Sequence, residues 1–136
     1  MYRVLIPVDT NENRALAQVD YVTALPTAAD AVEAYVLFVF TEESEAEAED
    51  HDSASEIDAV RRAAETLEDA GIDVTIVEDS GDTEEDILEH AEAHDVDTIV
   101  LGGRKRSPVG KALFGSISQG VILNTDRPVV ITGSKE

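Results

Sequence analysis

The sequence predicts an α/β fold, specifically a single-domain, open, five-stranded parallel sheet with helices on both faces. Apolar runs of strand length alternate with segments of helical apolar spacing along the 136 residues, which is typical of parallel sheets with right-handed crossovers. The runs at 4–8 and 34–40 are continuously apolar, as expected of strands that are covered on both faces. A hydrophobic content of 43% suffices for one packed core. We therefore expect one domain over residues 1–136.

The predicted elements follow from local signals. Apolar-rich runs predict strands at 4–8, 34–40, 72–77, 98–101 and 129–132. Asn11 starts the first helix, which Pro26 stops, and Gly71 lies at the C-cap position of the second. Thr83 with Asp86, and Ser116 with Gln119, predict capping boxes that open the last two helices. Residues 41–55, rich in Glu, Ala, Asp and Ser, predict a flexible acidic loop.

Charge and composition exclude several classes of protein. Thirty Asp and Glu against ten Lys and Arg give a formal net charge of -20, which repels nucleic acid and anionic lipid, so we expect neither as a partner. An acid-rich, lysine-poor composition is typical of proteins that stay soluble in molar salt, and we expect a salt-adapted cytoplasm. The absence of Cys excludes thiol catalysis and disulfides.

The segment after the fourth predicted strand reverses the local charge. Four of the ten basic residues lie within eight positions there, between two glycines: Arg104, Lys105, Arg106 and Lys111. The segment leads into a predicted helix N-terminus near Ser116, where unpaired backbone N–H groups favour a phosphate. In open α/β sheets, ligands bind at the carboxyl ends of the strands. These residues therefore predict phosphate or nucleotide binding beside Asp9, which ends the first strand.

Other motifs fit less well. The spacing from Gly103 to Lys111 and the Ala at 112 exclude a Walker A loop, and no G-x-G-x-x-G follows the first strand. His90 and His94 are four residues apart, a spacing that can bind metal on one helix face. We interpret them instead as a solvated helix end, and we assign no metal ligands and no catalytic residues.

The chain resembles the universal stress proteins, whose G-x2-G-x9-G-[S/T] motif is matched by Gly102, Gly115 and Ser116. The resemblance implies an adenine nucleotide alpha hydrolase-like, Rossmann-like fold with ATP, and Mg²⁺ with it, between the first and fourth strands. It places the base and ribose near Pro7, Val8, Asp9, Thr10 and Val39. It places the ribose and the phosphates beside Leu101, Gly102, Gly103 and Arg104. It implies that the phosphates are held by Gly115, Ser116, Ile117 and Ser118, with Lys105 in the same loop. It also implies a homodimer through residues 129–132.

One motif position departs from the family, because Lys105 replaces the second glycine. Lysine at a position that needs positive φ costs about 1–2 kcal/mol, although its charge can pair with a phosphate. Three functions stay open at this point. The protein is a regulatory module of the stress response that binds ATP or a related nucleotide, a nucleotide-free dimeric interaction protein, or a weak ATPase with Asp9 supporting a metal.

Overall fold

A computed structural model describes residues 1–41, 53–103 and 115–133. All pairings in its five-stranded sheet are parallel, and the strand order is β3-β2-β1-β4-β5. The predicted fold class is confirmed. The elements are β1 Tyr2–Pro7, α1 Glu12–Thr23, α2 Ala28–Ala31, β2 Val32–Phe40, α3 Asp58–Asp69, β3 Asp73–Ser80, α4 Thr83–Ala93, β4 Thr98–Gly102, α5 Ser116–Asn124 and β5 Val129–Thr132.

Helices cover both faces of the sheet, which explains why the central strands are continuously apolar. Alternate residues of β1, β2 and β4 point to opposite faces. On one face, Val4, Val36 and Val100 pack with α1 and α3. On the other face, the buried cluster contains Leu5, Leu37, Val39, Ile87, Ala91, Val96, Ile99, Leu101 and Val121, so α4 and α5 cover that side.

The helix starts differ from two of the predictions. Asn11 caps α1 as predicted, because its side chain accepts a hydrogen bond from the Arg14 N–H. The predicted capping boxes at Thr83 and Ser116 are wrong, since the helices begin one residue earlier than those boxes require. Asp82 caps α4 by accepting from the Glu85 N–H, and Gly115 is the N-cap of α5 with no side-chain bond.

The elements around β2 and β3 also differ from the sequence prediction. The short helix α2 precedes β2 and was not predicted. Strand β3 begins at Asp73 and continues to Ser80, three residues beyond the predicted end. Gly71 takes a positive φ of 81° just after the end of α3, a conformation that suits glycine, and Ile72 follows in the turn.

Most of the predicted acidic loop, residues 42–52, lies outside the described residues. At its end, Ala54–Glu56 form a 3₁₀-helix, and Ala54 is fully buried. Among the described residues, no helix is long and apolar enough to cross a membrane. Strand β5 stands at one edge of the sheet with all four residues half-buried, and the homodimer through 129–132 stays a prediction.

Candidate functional site

A cavity opens at the carboxyl edge of the sheet, where the strand order reverses. Strand β1 pairs with β2 on one side and β4 on the other, so the chain crosses in opposite directions from this point, the usual place for a ligand site in such sheets. The wall combines two strand ends with side chains from three helices: Pro7, Val8, Asp9, Arg14, Gln18, Thr83, Ile87, Leu101, Gly102 and Ile117.

Gln18 on α1 joins the two strands under the cavity. Register pairs of β1 and β4 are restricted to Val4 with Thr98 and Leu5 with Ile99, so the strands separate toward the cavity. The Gln18 amide donates to the Pro7 carbonyl at 2.6 Å and to the Val100 carbonyl at 3.0 Å. Because its side chain is 1% exposed, this amide supplies both buried carbonyls with a donor that water cannot replace.

Asp9 is held by two neighbours on the rim of the cavity. Its Oδ1 accepts from the Asn11 N–H at 2.9 Å, and its Oδ2 forms an ion pair with the Arg14 guanidinium. Asp9 therefore does not cap α1, which Asn11 does, and its carboxylate is fixed in direction. A carboxylate has about four lone-pair sites, so Asp9 can still accept from a hydroxyl group of a ligand.

Gly102 ends β4 and Gly103 follows it, and each allows a different close contact. A Cβ at Gly102 would lie 2.7 Å from Arg14 Cδ and 3.1 Å from Gln18 Oε1, so a side chain there would displace the residues that build the wall. A Cβ at Gly103 would lie 2.5 Å from the Thr132 carbonyl oxygen, to which the Gly103 N–H donates at 2.7 Å. Gly102 therefore shapes the cavity, whereas Gly103 allows β5 to approach.

The N-terminus of α5 lies at the opposite rim. Ile117 in its first turn lines the cavity, and Ser116 is exposed. The first turn of α5 has no acidic residue, whereas α1, α3 and α4 each carry at least one there. The first N–H groups of a helix have no intrahelical acceptor. With no acidic residue in its own first turn, the N-terminus of this helix is open to an anion.

The structure brings together some of the residues that the sequence assigns to the site. The wall includes six of them: Pro7, Val8, Asp9, Leu101, Gly102 and Ile117. It does not include Thr10, Val39, Gly103, Gly115, Ser116 or Ser118. The Val39 side chain is buried between the sheet and α4. Arg104 and Lys105 lie outside the described residues.

Four residues of the wall were missed by the sequence analysis, namely Arg14, Gln18, Thr83 and Ile87. One signal was available for Gln18. It lies within the buried stripe of α1, between Ala15 and Val22, and a polar residue at a core position usually has a specific hydrogen-bond partner. The remaining three have no sequence signal, because the cavity unites residues that are far apart along the chain.

The two histidines of α4 are not a solvated helix end, and that interpretation is wrong. His90 Nε2 lies 3.0 Å from Asp79 Oδ2, and the His94 ring stacks on Tyr35 with a centroid distance of 4.3 Å. Burial is the main factor that lowers the pKa of His94, followed by the nearby His90 and Arg3. Both rings are therefore half-buried and contact the sheet, His90 at β3 and His94 at β2.

The fold and the cavity define a class: an α/β protein with a ligand pocket at the point where strand order reverses. The family model described as "Universal stress protein family" matches residues 1–133, and the chain belongs to this family. A universal stress protein of Mycolicibacterium smegmatis is 37% identical over 65 residues, which are 47% of this chain and 50% of that protein. The chain thus spans about half the length of that relative.

Solved structures share the whole fold. A universal stress protein from Archaeoglobus fulgidus superimposes with a TM-score of 0.78 at 26% identity, covering 97% of this chain and 98% of that one. A universal stress protein from the same organism in complex with dAMP gives a TM-score of 0.70 at 19% identity, covering 97% and 98% of the two chains. The second likeness shows the fold alone.

Proposed function

We propose that this protein binds an adenine nucleotide, ATP or a related one, between β1 and β4 and acts as a regulatory module in the stress response. The observation that carries the proposal is the cavity at the strand-order reversal, whose wall joins the end of β1, the end of β4 and the first turn of α5. Parallel sheets bind nucleotides at this position. The dAMP complex of the Archaeoglobus fulgidus protein, which has the same fold, is consistent with it.

The volume of the cavity indicates which part of the nucleotide it can hold. Its volume is about 130 Å³, smaller than the ~300–1,000 Å³ of a complete ligand pocket. It therefore suits the ribose or the base, while the phosphates lie along the rim. The mixed wall, which contains the apolar Leu101 and Ile87 and the charged Asp9, suits a ring with a polar edge.

We assign the phosphates to the start of α5. The backbone N–H groups of Ser116, Ile117 and Ser118 and the two hydroxyl groups are suitable donors there. Gly115, as the N-cap, places no side chain in front of them. Arg104 and Lys105, which are close to this helix in sequence, remain proposed contacts of the phosphates.

Asp9 suits a binding role better than a catalytic one. Its Oδ2 is already paired with the Arg14 guanidinium, and this neighbouring positive charge opposes a bound Mg²⁺, so Asp9 suits a ribose hydroxyl better than a metal ion. Within the described part of the cavity wall it is the one carboxylate, its charged neighbour there is Arg14, and no histidine lines that part of the wall. We therefore propose binding without efficient hydrolysis.

A proline at the start of α5 tests the assignment. Ser116→Pro removes one N–H and one hydroxyl, yet proline is well tolerated at the first helical position. Gly115, with φ −67° and ψ 160°, already has the backbone that precedes a proline. By calorimetry we expect this variant to lose ATP affinity about tenfold or more, with adenosine affinity unchanged.

The matched control is Ser116→Ala, which keeps the N–H and should weaken ATP binding less. Mass spectrometry of small molecules released from protein purified without added nucleotide identifies the native ligand. A wild-type protein that releases no nucleotide and does not bind ATP or AMP would refute the proposal. Equal ATP affinity in wild type and Ser116→Pro would refute the phosphate assignment alone.

A further inference from the structure

Three carboxylates meet where β3 ends and α4 begins its second turn. Asp79 belongs to β3, and Asp86 and Glu89 are three residues apart on α4, so they share one face of the helix. One carboxylate oxygen from each residue lies within 4.8 Å of the corresponding oxygens of the other two. Like charges at this separation repel unless a cation or a proton compensates them.

Asp86 is the member of the cluster that the fold leaves without compensation. It is 8% exposed, and its Oδ2 is buried with no hydrogen-bond partner among the described residues. Asp86 is not needed as a helix cap, because Asp82 caps α4. Burying an unpaired carboxylate is costly, so a compensating partner is expected on the open side of the cluster.

The surroundings supply little positive charge. His90 Nε2 contacts Asp79 Oδ2 at 3.0 Å, and the Ser80 N–H donates to the second Asp79 oxygen at 2.8 Å. The five arginines that the structure describes form their ion pairs elsewhere: Arg3 with Glu33, Arg14 with Asp9, Arg61 with Asp58 and Glu65, Arg62 with Glu12, and Arg127 with Asp95. Glu85 adds a further negative charge nearby.

The effect on Asp86 has the expected direction. Burial, followed by the charges of Asp79 and Glu89, raises the pKa of the Asp86 carboxyl, and His90 offsets only part of this. The pKa of Asp79 is lowered, mainly by the Ser80 N–H and then by His90. The neighbours therefore stabilise the charged form of Asp79 and disfavour that of Asp86.

We propose that Asp79, Asp86 and Glu89 bind a divalent cation that prefers oxygen ligands, of the class of Mg²⁺, Mn²⁺ and Ca²⁺. Such ions lie roughly 2.0–2.6 Å from each ligand oxygen, so oxygens within 4.8 Å of one another can share one ion. Three carboxylates leave positions for water, as these ions favour. His90 is a positioning residue, since hydrogen bonds to ligating carboxylates fix their orientation. The bound ion joins α4 to the edge strand β3.

Mn²⁺ is a suitable probe, used on nucleotide-free protein. Its unbound fraction can be measured by electron paramagnetic resonance in about 1 M KCl, where weak association with the acidic surface is screened. We expect one saturable site involving these residues, from which Mg²⁺ or Ca²⁺ displaces Mn²⁺. Asp86→Asn should lower Mn²⁺ affinity at this site by at least about tenfold, and His90→Leu by a similar factor.

Glu92→Gln is the matched control, because it removes one exposed acidic charge from the same helix outside the cluster. Its Mn²⁺ affinity should equal that of wild type. Thermal melting in EDTA should show Asp86→Asn to be folded and at least as stable as wild type. Wild-type Mn²⁺ affinity in Asp86→Asn, or the absence of a saturable site in wild type, would overturn the proposal while leaving the result with ATP unaffected.

Discussion

Asp9 and Asp86 lie at the same edge of the sheet, yet their surroundings are opposite. Asp9 is exposed, and its carboxylate accepts from the Asn11 N–H and pairs with Arg14. Asp86 is buried, with one oxygen lacking a hydrogen-bond partner among the described residues, and its nearest charged neighbours are mostly acidic. The chain thus supplies partners for the exposed carboxylate of Asp9, which water could have solvated. It leaves an oxygen of Asp86 without a partner among the described residues, although water reaches that carboxylate least.

This contrast separates two ways of using a carboxylate. The Asp9 pair needs nothing from outside the chain, and it fixes the rim of the cavity. In the folded chain, the carboxylates of Asp79, Asp86 and Glu89 repel one another. A bound cation or a proton is needed to offset this repulsion. We expect the two regions to respond independently to substitution, and the loss of each aspartate's charge to change stability with opposite sign.

The largest expected effect comes from the support beneath the cavity. Gln18→Leu leaves the carbonyls of Pro7 and Val100 without their side-chain donor in a buried place, at a cost of about 2–4 kcal/mol in the free energy of unfolding. Chemical denaturation measures this difference. If the two regions are independent, the folded variant should still bind Mn²⁺ as wild type does.

Gln119→Leu is the control, because Gln119 is an exposed glutamine on a helix and its replacement should change stability by less than about 0.5 kcal/mol. Equal stability of Gln18→Leu and wild type would show that the amide does not support the two strands.

Replacing Asp9 or Asp86 by asparagine should change the free energy of unfolding by an intermediate amount, with opposite sign for the two residues. In EDTA at pH 7, Asp9→Asn removes the partner of Arg14 and should lower stability by about 0.5–1 kcal/mol, as for an exposed ion pair. Asp86→Asn removes a buried charge and adds a donor toward Asp79 and Glu89, and should raise stability by about 1 kcal/mol. Two changes of the same sign, measured by urea unfolding, would contradict the comparison.

The smallest effect concerns His94, whose pKa is lowered from 6.5 mainly by burial. The unfolded chain then takes up the proton more readily, so stability falls as the pH drops through 6.5 toward the folded-state pKa. His94→Phe keeps a ring against Tyr35 but cannot be protonated. Its stability profile between pH 7 and pH 5 should be flatter than that of wild type, and an unchanged slope would show that His94 does not contribute.

Much of the fold could be predicted because its signals are local. Strands that are covered on both faces must be continuously apolar, and that run is readable in residues such as Val36 and Leu37. The capping boxes failed because the pattern does not show which of several neighbouring polar residues takes the cap. Asp82 does so in place of Thr83, and Asp86 is then available for the cluster.

The site was harder to predict because its geometry depends on the register and twist of the whole sheet. Asp9 and Gly102 were accessible as strand ends. Arg14 was not, since only the folded chain shows that its stem lies against Gly102 and its guanidinium against Asp9. Asp79 was likewise hidden, because β3 extends beyond its apolar residues.

Helix α4 contributes to both regions with consecutive turns. Thr83 and Ile87 line the cavity, while Asp86 and Glu89 belong to the carboxylate cluster. A small rotation or shift of this one rigid element alters both sites together. If both ligands bind, thermodynamic reciprocity applies: the factor by which the ion changes nucleotide affinity equals the factor by which the nucleotide changes ion affinity. The concentration of a simple ion would then set the nucleotide concentration at which the protein responds.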